Sequence, residues 1–246
     1  MKKLLSATYW LALTVIGIAA AGCAGVTGSG AAPDYQAIVA NPDRTSEDRK
    51  TDERRKPVEL LTFLGVKPGM KALDMGAGAG YSTELLARSV GPTGTVYAQN
   101  TKERPAFDER LKTPAMKNVV KVIRPFDDPV PPEAKGLDLV TMFYIYHDTT
   151  YLKVDRAQMN QRLFDALKPG GQFVLIDHAA KTGAGTSVGE SLHRIEDLAL
   201  RREVEAAGFK FVAAGEFLRN PADPRDAPFF KMDQPSDQFV QKFVKP

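Results

Sequence analysis

Between Met70 and Gly208, apolar runs of strand length alternate with amphipathic runs of helix length, and this alternation most narrows the folds open to the chain. MKALDM, GTVYAQN, NVVKVIRPF, LDLVTMFYIYH and QFVLIDH read as strands, and the long fourth run reads as a central, buried one. Residues 82–90, about 104–112, 152–167 and 190–207 read as helices. Ser82 or Thr83 is available to cap the first of these and Gly91–Pro92 to stop it. Leu152, Met159, Leu163 and Leu167 share one face of the third, which KPGG at 168–171 ends. On the last, Ile195, Leu198 and Ala199 are expected to face inward. Strands separated by helices pair in parallel, with helices on both sheet faces. KFVAAGEFL and DQFVQKFV follow with no helix between them, joined by about 20 residues rich in Pro and Asp, and suggest an antiparallel edge. The expected fold is α/β: a doubly wound, mostly parallel seven-stranded sheet with an antiparallel last strand.

The chain opens MKKLLSATYWLALTVIGIAAAGCAG, a short basic start, an apolar run and then small residues, which is the layout of a secretory signal. AAGC at 20–23 resembles a bacterial lipobox, with Cys23 as the lipidated first residue of the mature protein. The division expected is a signal peptide over 1–22, a flexible tether over 23–40 and a single domain over 41–246. The location expected is the bacterial periplasm or cell envelope, on a membrane through Cys23. An uncleaved anchor over 4–22 also places the domain outside the cytoplasm. Cys23 is the only cysteine, so no internal disulfide forms. Removing Lys2 and Lys3 with the leader leaves 31 basic against 30 acidic residues, a balance with no general pull on nucleic acid. Residues 41–57, NPDRTSEDRKTDERRKP, hold no large apolar side chain and read as a solvated helix or loop, or as a flap over a site. VELLTFLGVKPG follows as a helix with an apolar face, closed by Gly65.

LDMGAGAGY, residues 73–81, runs a buried strand into an acidic–x–Gly–x–Gly–x–Gly turn. It is not a dinucleotide fingerprint, because Tyr81 and Thr83 stand where the third glycine belongs. Gly76, Gly78 and Gly80 leave no Cβ between backbone and ligand, at the carboxyl end of the first strand.

ALDMGAGAG, VGPTGTVYA and LFDALKPGGQFVLID together resemble the class I S-adenosylmethionine-dependent methyltransferases, over roughly residues 57–246. Among the branches, the chain looks most like predicted exported methyltransferases with no assigned substrate. The resemblance implies a Rossmann-like fold with S-adenosylmethionine as cofactor. It places Asp74, Gly76, Gly78 and Gly80 at the donor, and Asn100 where the family's acidic residue takes the ribose hydroxyls. An amide is not a charged two-point acceptor, so weaker binding or help from Gln99 is expected. Asp127 or Asp128 stands at the adenine amino group and Phe126 beside the ring.

The three histidines, His147, His178 and His193, all fall at the carboxyl edge of such a sheet. Methyl transfer needs a donor and an acceptor held in line, and a base for the acceptor's proton. His147, oriented by Asp148 or a similar acid, is the expected base, with His178 or His193 sharing the proton work. Tyr144 and Tyr146 are expected to shape the acceptor pocket. A rival reading makes the histidines, Asp148 and Asp177 ligands of a divalent metal, but H-x-x-H and H-E-x-x-H spacings are lacking and no metal is assigned. The function expected is methyl transfer to a small-molecule or envelope-associated acceptor. The alternatives are a non-catalytic binding protein on the same scaffold, or a histidine- or metal-dependent enzyme.

Overall fold

The computed structural model describes residues 31–246, so the leader and Cys23 lie outside the described residues. The chain opens with α1 (Tyr35–Ala40), α2 (Ser46–Arg55) and α3 (Pro57–Leu64). β1 (Lys71–Met75), α4 (Tyr81–Val90), β2 (Thr95–Asn100), α5 (Pro105–Leu111) and β3 (Val119–Ile123) follow. Next come β4 (Leu137–Phe143), α6 (Arg156–Ala166), β5 (Leu167–His178), α7 (Gly189–Leu192), α8 (Asp197–Ala206), β6 (Lys210–Gly215) and β7 (Gln238–Val244). The strands form one seven-stranded sheet in the order β3-β2-β1-β4-β5-β7-β6. β1 to β5 pair in parallel, and β7 runs antiparallel between β5 and β6. The expected fold class is what the chain adopts, with β7 inserted and β6 at the edge.

A buried cluster lies on each side of the sheet. Leu163, Leu200 and Val204 pack one face together with Leu73, Phe173 and Phe243. Leu61, Leu64, Leu85 and Leu86 pack the other with Ala72, Val96 and Val174. The near-continuous apolar strands are thus buried on both faces, as a helix-covered parallel sheet requires. The chain changes winding direction between neighbouring β1 and β4, and a crevice opens there beyond the strands' carboxyl ends.

Several local expectations are corrected. Residues 35–40 of the expected tether form a docked helix, with the Tyr35 hydroxyl donating to the Val66 carbonyl at 2.6 Å. α4 begins at Gly80 with no side-chain cap, because Ser82 and Thr83 already lie within the helix, where the Thr83 hydroxyl donates to Asp74. Leu152 is exposed and precedes α6, and Leu167 already belongs to β5, which runs through KPGG. The helix expected over 190–207 is broken at His193, where φ is +50°. Beyond the break Ile195 is buried as expected, but Leu198 is exposed, and within α8 the buried residues are Leu200 and Val204. Among the described residues no helix is long and apolar enough to cross a membrane.

Candidate active site

The glycine turn joins β1 to α4, with Gly76, Gly78 and Gly80 at φ +63°, +59° and +89°. They are not equivalent. A Cβ on Gly76 would press the Ile145 side chain at 3.1 Å, and one on Gly80 would meet Phe107 and Arg110 at 2.9 Å. A Cβ on Gly78 would meet nothing closer than 3.9 Å. Two of the glycines thus serve protein packing, and Gly78 alone leaves its face open to a ligand.

β2 holds the turn from beside it. The Gly76 N–H donates to Gln99 Oε1 at 3.0 Å and the Gly78 N–H to Asn100 Oδ1 at 2.9 Å. Asn100 Nδ2 donates back to the Gly78 carbonyl at 3.2 Å. The amide of Asn100, which was expected to serve ribose recognition, is thus engaged by the turn. Asp74 is a clearer correction. Its side chain is buried beneath the turn and accepts from Thr83 at 2.7 Å and Thr141 at 2.8 Å, so it braces β1, β4 and α4 and does not face a ligand. Burial outweighs those hydrogen bonds and raises its pKa to about 6.

Beyond Asn100, Thr101, Phe126, Asp127 and Leu152 line an open cavity of about 500 Å³. This is large enough for a nucleoside-sized ligand. Of the two adjacent acids, Asp127 borders the cavity, whereas Asp128 is tied to the guanidinium of Arg124. An open backbone at Gly78 and a cavity bordered by Phe126 and Asp127 fit an adenosine-bearing donor.

α2 covers the other end of the turn. Asp52 accepts from the Tyr81 hydroxyl at 2.6 Å and pairs with buried Arg44. Asp48 pairs with Arg110 at 2.8 Å. Arg55 ends the helix with its guanidinium 5.3 Å from the Tyr81 ring and 4.4 Å from the Tyr144 ring. Among the described residues its buried Nε finds no hydrogen-bond partner, and burial lowers its pKa. The polar segment is thus a flap fixed by ion pairs. Arg55 was missed from the sequence, where it is one charge among many.

The histidines do gather. His147 is buried at the start of the 3-10 turn His147–Thr150, with Nδ1 2.6 Å from Asp177 Oδ1 and its backbone N–H on Asp177 Oδ2 at 2.9 Å. Its Nε2 lies 3.1 Å from Asp148 Oδ1. Asp177, not Asp148, takes the orienting place behind the ring. Burial pushes the His147 pKa down, but the charges and hydrogen bonds of Asp177 and Asp148 outweigh it and raise it to about 10. Both ring nitrogens are occupied, so His147 is not the free base expected. His178 is its opposite. Burial, then the positive charges of His147, Arg194 and Arg55, lower its pKa to about 2. Its Nδ1 lies 2.7 Å from Ser236 Oγ, and its ring stacks on Phe229 at 3.8 Å. With Arg55, Tyr144, Phe229 and Gln238 it borders a cavity of about 60 Å³.

Phe229 and Ser236 arrive on the loop between β6 and β7, another contribution missed from the sequence. A fully buried ion pair, Arg194 to Asp223 at 2.8 Å, pins that loop, and Arg194 also donates to the carbonyls of Ala179 and Ala227. The tyrosines separate. Tyr144 has φ +61°, and its hydroxyl donates to Gln238 Oε1 at 2.7 Å inside the site. Tyr146 is fully buried on the α6–α8 side, bonded to Glu203 at 2.9 Å and Asn160 at 2.9 Å, and has no place in the pocket.

The sequence model of the protein-L-isoaspartate(D-aspartate) O-methyltransferase family matches residues 50–125. The demethylmenaquinone methyltransferase of Staphylococcus aureus is 33% identical over 123 residues, covering 50% of this chain and 49% of that protein. The match thus spans about half the length of that relative. Among solved structures, a SAM-dependent methyltransferase from Aquifex aeolicus superposes with a TM-score of 0.60 at 20% identity, covering 82% of this chain and 98% of that one. The [4+2]-cyclase SpnF superposes at 0.57 with 14% identity, over 78% of this chain and 83% of that one. At such identities the likeness is one of fold, and the cyclase shows that the fold is not itself an activity. The sheet order and the glycine turn give the chain the fold of the class I S-adenosylmethionine-dependent methyltransferases, and these matches make parts of its sequence similar to members of that family.

Proposed function

We propose that the protein is an S-adenosylmethionine-dependent methyltransferase that acts on a small-molecule or envelope-associated acceptor. The observation that carries this reading is Gly78, the one glycine of the turn with an open face, at the carboxyl end of β1 beside the cavity at Phe126 and Asp127. The donor supplies an electrophilic methyl on a sulfonium. Gly78 takes its close approach, Asp127 and Phe126 meet the adenine end, and the Arg55 guanidinium over the turn attracts the donor's carboxylate. The acceptor lies toward Tyr144, His178 and Phe229. His178 faces it as a neutral imidazole that can hydrogen-bond the acceptor, because its pKa is lowered to about 2 and its Nε2 makes no hydrogen bond among the described residues. Residues 1–22 act as a lipoprotein signal, and Cys23 anchors the domain to an envelope membrane; a Cys23→Ser variant that stays on membranes refutes that anchor.

One observation favours a second reading, a binding protein on a reused scaffold. The Asn100 amide is spent on Gly78, where the family places a free acid. Calorimetry with S-adenosylmethionine and S-adenosylhomocysteine decides between the two. Micromolar binding of both supports the enzyme, and no binding at millimolar ligand leaves the reused scaffold.

A further inference from the structure

His147 Nε2 and His193 Nδ1 lie 3.1 and 3.4 Å from one atom, Asp148 Oδ1. The three donor atoms all lie within 4.8 Å of one another. A tetrahedral ion with bonds of about 2.0–2.1 Å holds neighbouring ligand atoms about 3.3 Å apart, and the two separations from Asp148 Oδ1 bracket that value. Behind His147, the buried Asp177 carboxylate lies 2.6 Å from Nδ1. That is the outer partner a metal-bound imidazole uses, fixing the tautomer that leaves Nε2 to the ion.

The fold builds this cluster from two segments. His147 and Asp148 open the 3-10 turn, and His193 ends α7 at φ +50°. α7 reaches that turn only because residue 189 is glycine. A Cβ there would come within 2.0 Å of Thr150 Oγ1 and 2.8 Å of the His147 carbonyl. His193 keeps 30% of its side chain exposed, so an ion has a route in.

We propose that His147, Asp148 and His193 bind one divalent transition-metal ion of the zinc class, with Asp177 as the supporting carboxylate. Two imidazoles and one carboxylate suit such an ion, whereas calcium and magnesium take oxygen-rich sets of six or more ligands. Three protein ligands leave one tetrahedral position for water, or for a hydroxyl or thiol of a small acceptor. Tyr151, whose hydroxyl donates to Asp148 Oδ1 at 2.5 Å, stands beside that position. The site does not depend on the methyltransferase reading.

Co²⁺, titrated into the purified full-length protein, tests it. The expected result is one equivalent bound, with the intense visible absorption of four-coordinate cobalt, abolished by equimolar Zn²⁺. His193→Asn and Asp148→Asn should each weaken binding at least ten-fold; asparagine tolerates the positive φ at 193, so the fold should persist by circular dichroism. Absence of a visible band in excess Co²⁺ overturns the proposal, as does unchanged affinity in a folded His193→Asn protein. Donor calorimetry on the same samples separates the two conclusions. Donor binding without metal removes only the metal site, and metal binding without donor removes only the methyltransferase reading.

Discussion

Asn100 grips Gly78 by both of its backbone groups, accepting from the N–H at 2.9 Å and donating to the carbonyl at 3.2 Å. The residue expected in the ribose position is therefore a strut of the glycine turn. Asn100→Asp resembles a return to the family's acid, but a carboxylate has no hydrogen to give to the Gly78 carbonyl and repels it. The variant should lose about 1–2 kcal/mol of stability, several degrees in Tm for a domain of this size, with no gain in donor affinity. A ten-fold tighter donor at unchanged Tm would show that the side chain serves the ribose and not the turn.

Gly78 and Gly80 should respond oppositely to alanine. At Gly78 the added Cβ meets no protein atom closer than 3.9 Å, so the fold bears only the strain of φ +59°, about 1 kcal/mol. Gly78→Ala should fold and lose S-adenosylmethionine affinity. At Gly80 the Cβ meets Phe107 and Arg110 at 2.9 Å, so Gly80→Ala should lower Tm much further. Unaltered donor affinity in Gly78→Ala would move the ligand away from the turn.

The sheet, its order and the turn were legible in the sequence because they rest on local patterns: apolar strand-length runs, glycine spacing and helix stops. The tyrosine pair shows where such patterns fail. Tyr144 and Tyr146 share a face only if the strand continues, but β4 ends at Phe143 and Tyr144 turns to φ +61°. That turn sends Tyr144 to the site and Tyr146 into the core. The histidine edge was legible, since each residue was expected at the end or start of an element. The states of the histidines were not, because Asp177, Phe229 and Ser236 come to them through tertiary packing. The loop that carries Phe229 is fixed by Arg194 and Asp223, 29 residues apart, a pairing no local pattern announces.

Arg55 should matter to binding more than to folding. Its buried Nε has no partner among the described residues, so replacing the guanidinium with an apolar side chain of similar length orphans nothing there. Its stacking on Tyr81 and Tyr144 is worth about 0.5–2 kcal/mol. Arg55→Met should therefore stay folded while donor affinity falls ten-fold or more, the worth of a charge-assisted hydrogen bond at about 1.5–3 kcal/mol. Full donor affinity with a raised acceptor KM would assign Arg55 to the acceptor instead.

Asp74 makes a prediction about pH. Its folded pKa is about 6 against an ordinary 3.8, with burial as the leading cause. Below pH 4 the group is protonated in both the folded and unfolded chains and contributes nothing. Between pH 4 and 6 the unfolded chain releases the proton while the folded chain keeps it, so stability falls as pH rises. Above pH 6 the penalty is constant at about 3 kcal/mol. Asp74→Asn removes the titration and keeps an oxygen to accept from Thr83 or Thr141. The variant's Tm should gain on the parent's as pH is raised from 4 to 6 and run parallel to it above 7. A parent-minus-variant difference that stays flat across that range would mean that the two hydroxyls, at 2.7 and 2.8 Å, fully offset the burial of the charge.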